Sequence, residues 1–241
     1  MNNRTETLAV YYDEPYLTEL DSKVLRIEQK GSQHIVELES TIFYPEGGGQ
    51  PSDQGQIVGP VGTLRVEQVR TLRDNGILHQ GKLSGTLANG ENVRISIKWP
   101  ARYKNMRVHS AGHLLHDVLM TISPEVIPTK GNHGPKAFLE YSGVLNPEIQ
   151  LELEARTNSI VDQDLPIVTR YTDYNEIVEK CRFVPPGLPQ DKRLRLIQIG
   201  EFDPMPDGGV QVKSTKEIGR VVVYSITRTE GGAVIRYGVA N

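Results

Sequence analysis

The sequence predicts an α+β protein in which a small antiparallel β-barrel-like domain precedes a domain of antiparallel sheet packed on helices. Two observations support this fold class. The first hundred residues alternate short β-rich segments with turn residues, and the pattern changes to helical spacing at about residue 101. A chain of 241 residues is long enough for one large domain or two small ones. We predict an N-terminal domain over residues 1–98 and an α+β domain over residues 99–241.

Five short segments of the first domain are rich in β-branched or alternating apolar residues. They are predicted as strands at 22–29, 33–39, 62–70, 76–83 and 91–97. Turn residues separate them, at Gly31, Asn75-Gly76, Gly85 and Asn89-Gly90. Five short strands with such turn signals favour a small antiparallel barrel or sandwich.

The second domain begins with a helix, predicted from about 101 to 121, in which apolar and histidine side chains recur at a spacing near 3.6. Ser123-Pro124 ends this helix. Two more helices are predicted at 147–163, with Pro147 near its start, and at 173–181. Strands are predicted at 136–141, 166–171, 194–200, 220–227 and 232–239.

The composition is that of a soluble globular protein, with 24% charged and 37% apolar residues. No apolar run approaches the ~20 residues that a membrane-spanning helix needs, and no apolar signal segment follows the polar N-terminus. We therefore expect a cytoplasmic protein with no membrane contact. The single cysteine, Cys181, cannot form an internal disulfide, and an ordinary partly buried thiol is expected.

Positive charge is clustered, although the net charge of −3 argues against wholesale electrostatic binding of nucleic acid. Four cations lie within residues 98–107, a stretch without an anion: Lys98, Arg102, Lys104 and Arg107. Residues 192–195 form a second cluster. Such clusters are suited to phosphate contacts, although solvated surface is their commoner role.

The first motif, residues 43–51, reads Phe-Tyr-Pro-Glu-Gly-Gly-Gly-Gln-Pro. The consecutive glycines Gly47, Gly48 and Gly49 weaken a strand or helix, but they suit a loop in which backbone N–H groups face a ligand or φ is positive. A plain tight turn is the alternative. Gln50 follows directly, and this polar neighbour favours a binding loop.

The second motif is the pair His109 and His113, four residues apart in the predicted first helix. Their imidazoles therefore lie on one face, about one turn apart, as two ligands of one metal ion do. Two histidines satisfied by hydrogen bonds at the helix surface are the alternative. Ser110 stands where the zinc-peptidase motif has its glutamate, so a peptidase is not favoured.

The third motif is a polar loop, residues 203–212, with the sequence Asp-Pro-Met-Pro-Asp-Gly-Gly-Val-Gln-Val. Its double glycine indicates a tight turn. Asp207 and Gln211 are four residues apart, and they can converge on the site that the helix histidines face, although their spacing alone does not establish it.

Together these three motifs resemble the editing domain of alanyl-tRNA synthetase and its free-standing relatives, the AlaX proteins. Residues 43–51 look like the glycine-rich motif of that family, and His109 and His113 match its His-x-x-x-His. Residues 203–219 match a loop that reads approximately Asp-x-x-Pro-Cys-Gly-Gly-Thr-His-Val in the family, followed by Thr-x-Glu-Ile-Gly. The resemblance runs from about residue 8 to 238. It implies a β-barrel-like domain followed by an α+β editing domain whose glycine-rich segment faces a metal.

The resemblance implies an aminoacyl-tRNA deacylase, which hydrolyses the ester between a wrong amino acid and its tRNA in trans. The typical family substrates are Ser-tRNA(Ala) and Gly-tRNA(Ala), with the acceptor stem as the part of the tRNA that is read. Three alternatives are editing of another mischarged tRNA such as Ser-tRNA(Thr), a catalytically impaired tRNA-binding relative, and an unrelated metal-dependent esterase.

The chain departs from the family at two expected metal ligands, because the family cysteine is Asp207 here and the later histidine is Gln211. A carboxylate binds zinc well, whereas glutamine is a poor ligand. Either His109, His113 and Asp207 hold Zn²⁺ with an open fourth position, or no metal is bound and Asp207 and Gln211 hydrogen-bond the imidazoles. We favour the first outcome, with His109, His113, Asp207 and Gln211 as the catalytic residues.

Substrate contacts are expected at the glycine-rich motif. Thr41 matches a family threonine associated with recognising serine, with a buried strand threonine as the alternative, and Gln50 is a second candidate. The N–H groups of Gly47, Gly48 and Gly49 are expected to bind the terminal adenosine or the developing oxyanion. Charge alone predicts the tRNA contacts, at Lys98, Arg102, Lys104, Arg107, Lys213 and Lys216.

Overall fold

The computed structural model describes residues 6–72 and 76–240, which form two compact units. The first contains the described part of Met1–Gly47 and Pro51–Tyr103, and the second contains Gly48–Gln50 and the described part of Lys104–Asn241. The predicted α+β class is confirmed, since one unit is a strand barrel and the other combines antiparallel sheets with helices. No helix in the described ranges is long and apolar enough to cross a membrane.

The first unit is built on a closed barrel of six antiparallel strands. Its strands are β1 (Leu8–Ala9), β2 (Glu19–Lys30), β3 (Gln33–Leu38), β4 (Ser40–Thr41), β5 (Gly55–Val58), β6 (Gly62–Thr71), β7 (Ile77–Gly85) and β8 (Asn92–Ile97). The barrel order is β2-β3-β7-β6-β5-β8, closed by pairing between β2 and β8. The short strands β1 and β4 pair in parallel outside it, and a 3-10 turn at Val10–Tyr12 follows β1.

All five predicted strands of this unit are confirmed, and the sixth barrel strand, β5, was missed. This strand is only four residues long and begins at Gly55, and a glycine weakens the strand signal in so short a segment. Gly55 is required there because a Cβ atom would lie 2.0 Å from the Ser96 carbonyl oxygen of the paired strand. The predicted turn at Asn75-Gly76 lies partly outside the described residues.

A buried ion pair between Arg102 and Asp53 lies in the first unit, with side-chain exposures of 0% and 2%. The guanidinium Nε donates to both Asp53 carboxylate oxygens at 2.9 Å, and its other nitrogens donate to the carbonyls of Pro15 and Ile42. The prediction that Arg102 contacts tRNA is therefore wrong. The Arg102 guanidinium pairs with a buried carboxylate, and neither water nor phosphate can reach it there.

The first helix, α1, extends from Trp99 to Ile122 and confirms the helix predicted at 101–121. It ends just before Ser123-Pro124, as the sequence predicts. Its buried face carries Met106, Leu114, Leu115 and Leu119, each fully shielded from solvent. The two motif histidines are on the same helix, so the packing of this face determines where their imidazoles lie.

The second unit has two antiparallel sheets and three further helices. Its elements after α1 are β9 (Ile127–Asn132), β10 (Phe138–Ser142), α2 (Gln150–Val161), β11 (Ile167–Thr172), α3 (Tyr174–Lys180), β12 (Leu194–Ile199), β13 (Met205–Pro206), α4 (Thr215–Ile218), β14 (Val221–Thr229) and β15 (Gly232–Val239). One sheet has the order β14-β15-β10-β9 and the other β11-β12-β13. The five strands and two helices predicted here are confirmed, and Pro147–Ile149 forms a 3-10 turn ahead of α2.

The strand β9 was missed because its sequence, Ile-Pro-Thr-Lys-Gly-Asn, contains residues that usually interrupt strands. It lies at the edge of its sheet, where the missing N–H of Pro128 is tolerated. Cys181 is a buried thiol packed with Ile177 and Leu196, as expected. Burial raises the pKa of this thiol, which makes it a poor nucleophile.

Candidate active site

The two motif histidines lie side by side on α1, with ring centroids 5.0 Å apart and planes 13° from parallel. His109 is 1% exposed and His113 is 9% exposed. The predicted arrangement on one helix face is therefore present, and the alternative of two surface histidines does not hold. Buried polar rings need partners, and those partners define the site.

Asp207 faces both imidazoles from the loop that follows β13. Its Oδ1 lies 3.2 Å from Nε2 of His109 and 3.4 Å from Nε2 of His113, and its side chain is 4% exposed. One ligand atom from each residue lies within 4.8 Å of the other two. The third motif thus brings a carboxylate to the histidine pair, which spacing in the sequence could not establish.

The remaining ring nitrogens fix the protonation of the two imidazoles. Nδ1 of His109 is 2.8 Å from Oε1 of Gln50, an oxygen that also accepts the Val210 N–H at 3.3 Å. Nδ1 of His113 is 2.8 Å from the sulfur of Met205. Both partners can accept an N–H, and in the tautomer with the proton on Nδ1 each Nε2 presents a lone pair toward Asp207.

In that tautomer three acceptor atoms converge on one point. His113 Nε2 is buried and has no hydrogen-bond partner in the described part of the chain. Burial lowers the pKa of His109, and this effect outweighs the opposing influence of Asp207, so its imidazole is neutral at pH 7. A divalent cation at this point relieves the repulsion between the lone pairs, and the donor set of two imidazoles and one carboxylate fits zinc.

Gln211 contacts Asp207 and not the imidazoles. Its Nε2 donates to Oδ2 of Asp207 at 2.7 Å, and its Oε1 accepts the Ser110 hydroxyl at 2.6 Å. The Gly209 N–H donates to Oδ1 of Asp207 at 2.9 Å. The alternative in which Gln211 hydrogen-bonds a histidine is thus not the observed arrangement. Gln211 instead orients the Asp207 carboxylate.

Arg195 anchors the loop that carries Asp207. Its guanidinium donates to the Gly209 carbonyl at 2.6 Å, and its own carbonyl accepts the Asp207 N–H at 3.0 Å. This cation of the 192–195 cluster therefore has a structural role. The sequence suggested only phosphate contact or solvated surface for this cluster, since no pattern in the chain links it to the loop.

Two glycines of the first motif pack against this site. Gly48 and Gly49 have φ values of 55° and 76°, and positive φ at two successive residues is typical of a type I′ turn. A Cβ atom on Gly48 would lie 3.5 Å from the Gly209 nitrogen, and one on Gly49 would lie 2.9 Å from the Gly131 carbonyl oxygen. A side chain at Gly49 would therefore collide with the neighbouring backbone, and one at Gly48 would strain the turn through its positive φ. The turn brings Gln50 to His109.

His133 is a site residue that sequence reasoning missed. Its ring stacks on that of His109, with centroids 4.1 Å apart and planes at 15°. The backbone N–H of His133 donates to the Gly49 carbonyl at 2.8 Å. Its Nδ1 lies 2.5 Å from the Tyr237 hydroxyl. A Cβ atom on Gly112 would collide with this histidine at 2.6 Å. His133 stands alone in its turn, and no sequence signal links it to α1.

The other predicted residues lie as follows. Thr41 is buried in the first unit, where its hydroxyl bonds Nε2 of His79 at 2.8 Å. Arg107 is half-buried and donates to the carbonyls of Ile218 and Ala240. Gly47 belongs to the first unit and is exposed. The four predicted lysines, Lys98, Lys104, Lys213 and Lys216, are also exposed.

Replacing Gly209 with alanine is expected to lower zinc affinity about 10- to 100-fold. A Cβ atom there would lie 2.0 Å from Cε1 of His109, so the imidazole must move. Gly208→Ala is the matched control, because a Cβ atom on Gly208 meets no atom within 4 Å. Competition with a chromogenic chelator measures both variants. Equal affinities in the two variants would show that His109 is not held at a metal.

The chain is similar to several characterised proteins. Residues 3–101 match the family described as tRNA synthetases class II (A). The alanyl-tRNA editing protein AlaX-L of Pyrococcus horikoshii is 37% identical over 220 residues, which is 89% of this chain and 53% of that protein. AlaX-M of Saccharolobus solfataricus is 31% identical over 227 residues, 91% of this chain and 93% of that protein. The alanine–tRNA ligase of Halorubrum lacusprofundi is 30% identical over 233 residues, 94% of this chain and 25% of the ligase. The chain thus spans about half of the first relative and nearly all of the second.

Proposed function

The chain belongs to the family of AlaX-type alanyl-tRNA editing proteins, and from this premise we propose that it is an aminoacyl-tRNA deacylase acting on mischarged tRNA(Ala) in trans. The seryl and glycyl esters, Ser-tRNA(Ala) and Gly-tRNA(Ala), are the proposed substrates. The cytoplasm, where charged tRNA is used, stays the predicted location.

The observation that carries this proposal is the convergence of two bare imidazole nitrogens and a carboxylate in a buried site. Buried acceptor atoms without a hydrogen-bond donor cost free energy of folding. Such a cluster is therefore expected where the atoms bind a ligand. His109, His113 and Asp207 are the residues that would hold a zinc ion. When bound, the ion supplies Lewis acidity toward the ester carbonyl or water.

The surrounding residues hold these three groups in position. Gln50 and Met205 keep the protons on the Nδ1 atoms, which leaves both Nε2 atoms available as ligands. Gln211 fixes the rotation of the Asp207 carboxylate. Asp207 thus takes the place of the family cysteine as a metal ligand. Gln211 stands where the family has a histidine ligand, and here it orients the Asp207 carboxylate.

Substrate selection is assigned to the glycine-rich motif. Backbone N–H groups of Gly47, Gly48 and Gly49 are donors for the terminal adenosine or the developing oxyanion. Nε2 of Gln50 is buried and lacks a hydrogen-bond partner in the described ranges, so it is a donor for the serine hydroxyl. A site that bonds this hydroxyl rejects alanine, because alanine leaves the polar group unpaired. Thr41, which matches the family threonine associated with recognising serine, also stays a prediction for this contact.

Exposed lysines are proposed to contact the phosphates of the acceptor stem. Removing one of them is expected to weaken binding equally for tRNAs of different nucleotide sequence. Each of Lys104→Ala and Lys216→Ala should reduce the slope of log K against log salt by about 0.7–0.9. Lys82→Ala, on the exposed side of β7, is the matched control and should leave the slope unchanged. Filter binding across a salt series measures this. An unchanged slope in both test variants contradicts these contacts.

A panel of charged tRNAs tests the proposed function. Purified protein is incubated with Ser-tRNA(Ala), Gly-tRNA(Ala), Ala-tRNA(Ala) and Ser-tRNA(Thr), and loss of ester is followed against the spontaneous rate. Selective loss of the seryl or glycyl ester of tRNA(Ala) is expected. Selective loss from Ser-tRNA(Thr) would assign a different specificity, and no loss from any of the four would favour a binding protein without catalysis.

A further inference from the structure

A large cavity opens beside the histidine pair in the second unit. It has a volume of about 790 Å³, and His113, His133 and Met205 form part of its wall. This volume is in the range of small-molecule sites, and it exceeds what a serine or glycine side chain fills. A substrate bound at His113 therefore has room to extend into this cavity.

Asp117 lines the cavity one helical turn beyond His113. Asp117 is only 7% exposed, and its side chain has neither a hydrogen bond nor an ion pair with the residues that the structure describes. Burial raises the pKa of this carboxyl well above its usual range, and Asp203 adds to the effect. A carboxyl in this position ionises readily only when a cation is placed beside it, because the cation stabilises the charged form.

The neighbouring polar groups of the cavity are already satisfied by one another. Nδ1 of His116 lies 3.0 Å from the Tyr141 hydroxyl, and the two rings are stacked with planes 5° apart. Burial lowers the pKa of His116 to about 4, so this ring is neutral and cannot serve as a cation for Asp117. His116 therefore gives Asp117 no counter-charge.

We propose that the Asp117 carboxylate binds the α-ammonium group of the aminoacyl ester. This inference rests on the proposed function. The ammonium nitrogen is two bonds from the ester carbonyl carbon, and it is the cationic group that every aminoacyl-tRNA ester carries beside its reacting atom. Side chains four residues apart on a helix have Cβ atoms about 5–6 Å from each other. An ester whose carbonyl lies at Nε2 of His113 therefore places its ammonium within reach of Asp117.

Such a contact makes the site selective for a free amino group. Peptidyl or N-acylated esters carry no charge at that nitrogen, and they would bury Asp117 without a partner. Asp117 is then a substrate-binding residue that distinguishes aminoacyl-tRNA from tRNA esters with an acylated α-amino group. Gln50 recognises the side chain of the attached amino acid.

Binding of two stable analogues tests the inference. The first is 3′-deoxy-3′-(L-serylamino)adenosine, in which an amide replaces the ester. The second carries a hydroxyl in place of the α-ammonium and is nearly identical in shape. Zinc-loaded wild-type protein is expected to bind the ammonium analogue about 10- to 100-fold more tightly in calorimetry. In Asp117→Asn the two analogues should bind within about threefold of each other. Glu201→Gln, which removes an exposed carboxyl from the same cavity wall, should keep the full preference.

The comparison in the wild-type protein requires no variant, so it stands even if Asp117→Asn fails to fold. Equal binding of the two analogues by the wild-type protein overturns the inference and leaves the proposed function in place. A preference that persists in Asp117→Asn also overturns it. If neither analogue binds and no charged tRNA is deacylated, both the inference and the proposed function are rejected.

Discussion

Replacing Asp207 with asparagine is expected to lower kcat/KM for Ser-tRNA(Ala) by at least about 100-fold and to abolish stoichiometric zinc binding. Asp207 supplies the only anion among the three convergent groups, and an amide is a much weaker ligand than a carboxylate. Loss of the metal removes several kcal/mol of transition-state stabilisation. Metal analysis and single-turnover hydrolysis measure the two effects on the same preparation.

Two further variants at this site separate metal binding from structural support. Asp207→Cys restores the residue type that the resemblance assigns to the family, so it should retain zinc and a substantial part of the rate. Asp191→Asn removes an exposed carboxylate of the same unit and should change neither property. Wild-type activity in Asp207→Asn would contradict the assignment of Asp207 as a ligand.

Replacing Arg102 with leucine is expected to cost about 3–5 kcal/mol in the free energy of unfolding of the first unit. The substitution leaves the Asp53 carboxylate buried without its cation, although the Tyr44 N–H still donates to it at 2.7 Å. The carbonyls of Pro15 and Ile42 also lose a donor. Urea denaturation, followed by a probe in the barrel, measures the loss.

Arg94→Leu is the matched control for this prediction. Arg94 is also an ion-paired arginine of the barrel, but its side chain is 54% exposed and its partners Glu19 and Asp21 face solvent. Exposed pairs contribute little because water and salt screen them, so this variant should unfold almost as the wild type does. Equal losses in the two variants would show that burial of the Arg102–Asp53 pair has no special energetic role.

The sequence predicted elements with strong local patterns and missed those that depend on distant partners. The spacing of apolar residues in α1 determines its buried face, and five barrel strands carry β-branched runs between turns. The strands β5 and β9 contain glycine or proline, which only their neighbours in the sheet make acceptable. Pairing across the sheet outweighs local propensity at these two strands.

The same distinction holds in the site. His109 and His113 could be paired from the sequence because one helix turn separates them. The approach of Asp207, the stacking of His133 and the anchoring by Arg195 are tertiary contacts between distant segments. Arg102 was misassigned because its burial depends on Asp53, 49 residues away. Charge in a sequence shows neither exposure nor partners.

Restoration of activity by metal tests the central claim most directly. Protein stripped of metal with a chelator is mixed with Ser-tRNA(Ala), and the rate of ester loss is measured as zinc is added. The proposed site at His109, His113 and Asp207 predicts a rate near the spontaneous one without zinc and a linear rise that saturates at about one equivalent per chain. A stripped protein that hydrolyses the seryl ester at full rate, with no response to added zinc, would contradict the claim.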